Sequence, residues 1–244
     1  MSDSQGSTPG EPSVPEDQLQ LVLAACRDRL GDPARWVSPD DYRHSLALCI
    51  IESVQAAGTH SADADAVVDR YRAYRHARGA GPITDGTREL LHTFEEVGSS
   101  DQWAGKIGHY KRRYCANAAP LRAAEIQRTA ERLHALHIDT VGDLVGATRN
   151  RATRDDLRQA WRESCGETGG TTWQHLMVLA GVPAPNTAVN AADDFVRSVL
   201  PDGRIPSAEI LAAAADRLGV APEVLGQAVR RWRYTHDEPI HTAS

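Results

Sequence analysis

The chain has 244 residues, 41% hydrophobic and 25% charged, with a formal net charge of −6 and a pI of about 5.9. That composition is ordinary for a globular protein and long enough for one sizeable helical domain, while the global acidity counts against a dedicated non-specific nucleic-acid binder. Aromatics are only 5%, which favours closely packed helices over a sandwich or barrel, and no apolar run approaches the roughly 20 residues of a membrane span.

Residues 1–15 are rich in Ser, Gly, Pro and acids and read as a disordered tail. They contain no basic-then-apolar leader, so the cytoplasm is the expected compartment, near the nucleoid if DNA is the partner. Residues 16–30 carry Leu19, Leu21, Val22, Leu23, Cys26 and Leu30 at helical spacing, stopped by Gly31-Asp32-Pro33. Ser38-Pro39-Asp40-Asp41 has the form of an N-cap with Pro in the first turn, and the helix after it is expected to run to about Ala57. Leu46 to Ile51 is apolar all round, which marks this as the central buried helix.

A helix is expected over 63–78, with Val67, Val68, Tyr71 and Tyr74 inward and Arg70, Arg72, Arg75 and Arg78 on the outer face. Another is expected from Thr84 to Val97. Residues 98–119 read as irregular, polar and basic. There Lys106, His109, Lys111, Arg112 and Arg113 interleave with Tyr110 and Tyr114, near Trp103. Such a run either contacts phosphates and stacks on bases or is a solvated charged loop. Helices follow over 120–134, 139–145, 154–164, 172–180, 190–200, 207–218 and 222–234, with no convincing β alternation.

Cys26, Cys49, Cys115 and Cys165 are far apart and form no C-x-x-C pair, so neither zinc nor iron–sulfur ligation is expected. The scattered histidines, His60, His76, His134, His137 and His175, read as structural. Gly166, Gly169 and Gly170 lie in the tight turn between two helices. Glycine lets a backbone approach a ligand closely, and the free N–H groups opening the second helix make an anion site. An ordinary Gly-rich helix connection has the same composition. Arg149, Arg151 and Arg154 lie just before the first of these helices.

Three segments, in order and at matching spacing, carry a resemblance over roughly residues 40–200. Leu46 to Ala57 is an apolar helix ending near Gln55. Leu121-Arg122-Ala123-Ala124-Glu125-Ile126 is similar to a K-A-x-x-I helix, followed by Gly142-Asp143-Leu144 and Asp156-Leu157. Gly169-Gly170-Thr171-Thr172-Trp173 is similar to a G-I-G-P-W or G-V-G-x-K turn. Together they resemble the helix–hairpin–helix (HhH-GPD) DNA glycosylase superfamily, endonuclease III among them, without the iron–sulfur cluster.

The resemblance implies an all-α, two-lobed helical bundle with a central cleft. The hairpin lobe would span roughly 84–186, and the other lobe roughly 16–83 plus 187–244. It implies a DNA-repair hydrolase that grips double-stranded DNA, flips a damaged base and cleaves its N-glycosidic bond. The hairpin, Gly166 and Gly169 to Trp173, would hold a phosphate, with a monovalent cation there and no other cofactor. Gln55 would be the wedge filling the gap of the flipped base, or simply a solvated helix-end residue. Trp173 stands where bifunctional members place a Lys, so lyase chemistry is not expected.

The family's catalytic Asp stabilises positive charge on the sugar. Here Thr187-Ala188-Val189-Asn190 puts Asn190 at that place, and Asn lacks the charge. The carboxylate would then come from Asp193, Asp194 or Glu52. Glu52 is alternatively a helix-exit charge in solvent. The competing expectation is a catalytically degenerate relative that binds DNA or a partner without cleavage.

Overall fold

The computed structural model describes residues 14–56, 61–110, 120–165, 169–182 and 187–236. The described residues are all-α, with no strand among them: α1 Glu16–Leu30, a short 3-10 turn Pro33–Arg35, α2 Pro39–His44, α3 Leu46–Ala56, α4 Ser61–His76, α5 Thr87–Val97, α6 Ser100–Lys106, α7 Arg122–Ala135, α8 Val141–Thr148, α9 Arg151–Cys165, α10 Gly169–Leu179, α11 Thr187–Val199, α12 Ser207–Leu218 and α13 Pro222–His236. None of these helices is long and apolar enough to cross a membrane. The tail expected over 1–15 lies almost wholly outside the described residues.

The helix expected from the Ser38 cap to Ala57 is two helices. Ser38 caps as its sequence suggests, its Oγ accepting from the Asp40 N–H at 3.2 Å. The break is Ser45, whose extended backbone leaves the helix. Its hydroxyl donates to the Asp85 carbonyl at 2.9 Å, and the Ala47 N–H donates to the same oxygen at 3.0 Å. A carbonyl forty residues away thus decides where α3 starts. Every side chain of α3 is buried. Residues 98–119, expected to be irregular, contain α6, which Ser99 caps by accepting from the Gln102 N–H at 3.2 Å.

The α4 arginines, expected on a solvated face, fasten that helix to its neighbours. Arg70 donates to the Ile107 and Gly108 carbonyls at 2.8 and 2.6 Å, and Arg75 grips Asp85 at 2.6 and 3.1 Å. Arg78 pairs with Glu96 and lies over the Tyr74 ring. The loop ahead of α5 is equally tight. A side chain on Gly86 would put its Cβ 1.9 Å from the Asp139 carbonyl oxygen, so only glycine fits there.

The apolar side chains gather into two clusters. The first is built from α2 to α10 around α3 and α7, with Trp103 and Trp161 fully buried. The second joins α1 at one end of the chain to α11, α12 and α13 at the other, around Phe195 and Trp232. Residues 37–83 contribute to the same apolar cluster as the hairpin helices, where the resemblance implies a lobe shared with the C-terminal helices.

Candidate functional site

The α9–α10 pair is an antiparallel helical hairpin held from inside. Asn150 opens α9, its Oδ1 accepting from the Ala152 N–H at 2.9 Å. Near the other end, the Trp161 indole N–H donates to Thr172 Oγ1 at 2.9 Å. Trp161 also meets Trp173 edge-on, with ring centroids 6.2 Å apart. Thr172 and Trp173 are buried, Trp173 only 6% exposed. The side chains expected to contact DNA face the core instead and clamp the two helices together. Gly166 lies outside the described residues.

Gly169 and Gly170, expected in the turn, form the first turn of α10. The first N–H groups of a helix have no partner within it, and they carry the positive end of its dipole. No acidic residue occupies the first turn of α10. A Cβ on Gly170 would meet nothing within 4 Å, so no protein neighbour demands a glycine there. Thr171 follows in the same turn.

Glu52 and Gln55, at the C-terminal half of α3, are both interior. Glu52 is 0% exposed, which overturns the expectation of a helix-exit charge in solvent. Both of its carboxylate oxygens are held by the Arg231 guanidinium of α13. Nε donates to Oε1, and Nη2 donates to Oε2 at 2.9 Å, with the Tyr42 hydroxyl adding a long 3.4 Å bond to Oε2. A carboxylate forked this way is already neutralised and has no face turned to a substrate. Gln55 is 1% exposed, so it cannot probe a duplex from its observed position. Its backbone carbonyl and that of Val54 accept from buried Arg122, which satisfies the open end of α3.

His175 of α10 is buried against the same junction. Burial, and then the charges of Arg231 and Arg230, push its pKa down to about 3, so the ring stays neutral. Sequence reasoning found the fully apolar run of α3 but missed Arg122 and Arg231. Their partners lie 67 and 179 residues away, with no local signal to mark them.

On α11, Asp194 pairs with Arg233 at 3.2 Å and Arg197 at 3.8 Å, and Asp193 is half-buried. Arg231 and Arg233 lie two residues apart on α13 and so point to different sides of that helix. One reaches Glu52 and the other Asp194. Asn190 belongs to α11, and its side chain lies outside the described residues.

Of the basic-aromatic run, Lys106 ends α6 and is exposed, with Nζ 5.5 Å from the Tyr74 ring. Tyr110 is 67% exposed. Lys111, Arg112, Arg113 and Tyr114 lie outside the described residues. Trp103 is not part of a stacking surface: it is buried, stacked on Phe94 at 4.7 Å, and donates to Thr93 Oγ1 at 3.0 Å.

A cleft of about 340 Å³ opens beside the start of α5, lined by Asp85, Gly86, Arg88, Glu89, Asp139 and their neighbours. Its carboxylates are committed. Asp85 serves Arg75 and Tyr71, and Glu89 accepts from the Gly86 N–H at 2.9 Å. Asp139 accepts from Thr87, contacts His134 at 2.6 Å and is held below its usual pKa by these bonds despite its burial. Cys26, Cys49 and Cys165 are buried thiols, and burial pushes Cys26 up to about 12. Among the described residues, no three His, Cys, Asp or Glu side chains come together as a metal site.

No curated protein and no solved structure matches the chain. One family model does, described as a domain of unknown function (DUF8548), over residues 20–236. That match spans most of the chain, from α1 to α13, and the protein belongs to the DUF8548 family.

Proposed function

We propose that this protein holds double-stranded DNA through its α9–α10 hairpin without cleaving it, as a catalytically degenerate relative of the helix–hairpin–helix glycosylases it resembles. The start of α10 carries this reading. Its first N–H groups have no partner within the helix, its first turn holds no acidic residue, and Gly170 has no protein neighbour within 4 Å that requires a glycine. The Trp161–Thr172 clamp fixes that end against α9, so the N–H groups are aimed before a ligand arrives. The same reading includes a monovalent cation sharing the phosphate. The acid chemistry of a glycosylase has little support, because Glu52 is held by Arg231, Asp194 pairs with Arg233 and Asn190 is uncharged, which leaves half-buried Asp193 alone of the four candidates.

Binding of the full chain to a labelled duplex, followed by fluorescence anisotropy across a salt series, tests this. Salt-dependent binding is expected, with no free base released from a panel of damaged duplexes. Gly170→Glu separates a ligand-binding role from a purely structural one. A carboxylate in the first turn suits the helix dipole and replaces a poor helix former, so the thermal midpoint holds or rises. The same carboxylate occupies the phosphate position, so binding is lost. Absent or salt-insensitive binding by the unmodified chain overturns the proposal, and base release would restore the glycosylase reading.

A further inference from the structure

The exposed arginines of α9 form a single edge. Arg151, Arg154, Arg158 and Arg162 follow one another at spacings of three, four and four, which keeps them within roughly 80° of arc on a 3.6-residue helix. Leu157, Trp161, Ser164 and Cys165 turn inward from the same helix. Trp161 meets α10, while Ala160 and Glu163 are engaged by Arg132 of α7. The arginine edge therefore borders α10, and Asp156 and Glu163 fall on the α7 side. Over about 16 Å of helix the edge runs toward the hairpin, its last member three residues before the end of α9.

Many other arginines of the molecule are neutralised by acids. Arg35, Arg72, Arg75, Arg78, Arg217, Arg231 and Arg233 each have a carboxylate partner. Arg158 and Arg162 have none among the described residues, although acids outnumber bases by 33 to 27. Arg151 and Arg154 share one distant neighbour, Asp155, at 3.9 and 4.0 Å. Like charges four residues apart on a helix repel each other, so the edge weakens α9 unless something outside supplies negative charge.

We infer that the Arg151–Arg154–Arg158–Arg162 edge of α9 is a second backbone-binding track, along which a DNA strand is led to the hairpin. This rests on the DNA-binding reading above and adds the path of the strand. Guanidinium groups in a row match a row of phosphates, each able to accept two parallel hydrogen bonds. The arginines neutralise charge and carry no base readout, so the track holds any sequence.

The test uses the full chain, a labelled duplex and the double variant Arg158→Gln/Arg162→Gln, with Arg204→Gln as a distant exposed control. Each phosphate contact contributes about 0.9 to the slope of log affinity against log salt. The double variant is expected to flatten that slope by about 2, with the thermal midpoint unchanged or raised and the control unaffected. If the unmodified chain binds with a steep salt slope and the double variant keeps it, the track is wrong and the hairpin reading stands. If the unmodified chain does not bind duplex DNA, both fall. If poly-glutamate displaces the duplex as well as unlabelled DNA does, the track takes acidic protein and the inference is overturned.

Discussion

The two apolar clusters are made in opposite ways. The first is assembled within the continuous stretch from α2 to α10, with α3 at its centre meeting α4 beside it and α7 and α10 further along. The second needs α1 to meet α11, α12 and α13 across the whole of that stretch. Closing so long a loop costs entropy before any contact forms, whereas the first cluster can grow locally. The polar interior follows the same division. The first cluster surrounds Glu52, Arg122, Thr172 and His175, and Glu52 reaches across to Arg231 of the second. A protein that is acidic overall thus commits one of its arginines to a buried charge pair between two cores, while Arg158 and Arg162 of α9 have no carboxylate partner among the described residues.

The sharpest way to break this comparison is Arg231→Ala. It strands the buried Glu52 carboxylate, at a cost of about 3–5 kcal/mol. Chemical denaturation measures the loss, and hydrogen exchange should show α11 to α13 losing protection before α3 and α7. Equal loss in both sets would mean that the clusters are one cooperative unit. Replacing the pair by Glu52→Leu/Arg231→Met should recover most of the loss, because a buried pair is worth little over well-packed apolar groups.

A second probe acts at the same seam through pH. His175 has a folded-state pKa of about 3 against an ordinary value near 6.5. The unfolded chain therefore binds the proton first, and stability is fully present above about pH 6.5 and falls as pH drops toward 3. The slope from this group alone approaches one proton, about 1.4 kcal/mol per pH unit. The slope between pH 6.5 and 4.5 should be shallower in His175→Leu than in the unmodified chain. Parallel slopes would place the histidine in contact with water.

The smallest effect belongs to Thr140→Ala. Thr140 Oγ1 accepts from the Asp143 N–H at 3.1 Å at the start of α8, and losing such a cap costs about 1 kcal/mol. Exchange should quicken in α8 and leave α1 and α11 to α13 untouched. A wider spread would show that even the edge of the first cluster is coupled to the second.

Much of the helix plan is legible in the chain. α1 is bounded as its pattern suggests, because Leu19, Val22, Leu23 and Cys26 mark one face and Gly31 stops it. α12 begins at Ser207 and ends at Leu218, before Gly219 in the left-handed conformation. Three of the failures share one physical cause. Ser45 breaks a helix for the sake of the Asp85 carbonyl, Arg75 turns inward for the same residue, and Glu52 is buried because of Arg231. Each depends on a partner far along the chain, and local periodicity carries no trace of it. Trp173 was misplaced for a milder reason: a tryptophan beside a glycine turn has the same spelling whether it faces a ligand or Trp161. The α9 arginine edge was fully spelled out at 151–162. It was hidden because the helix was expected to start at 154.

The second cluster also has a consequence for how the chain is born. α1 leaves the ribosome with Leu19, Val22, Leu23 and Cys26 facing a core whose other helices do not begin until residue 187. At roughly 5–20 residues per second, α1 waits on the order of ten seconds or more for its partners. During that interval the first cluster can close, while an apolar helix stays without a home. Nascent-chain surveillance would therefore meet this protein at its N-terminal helix, and solubility during synthesis should depend on how quickly the last three helices follow.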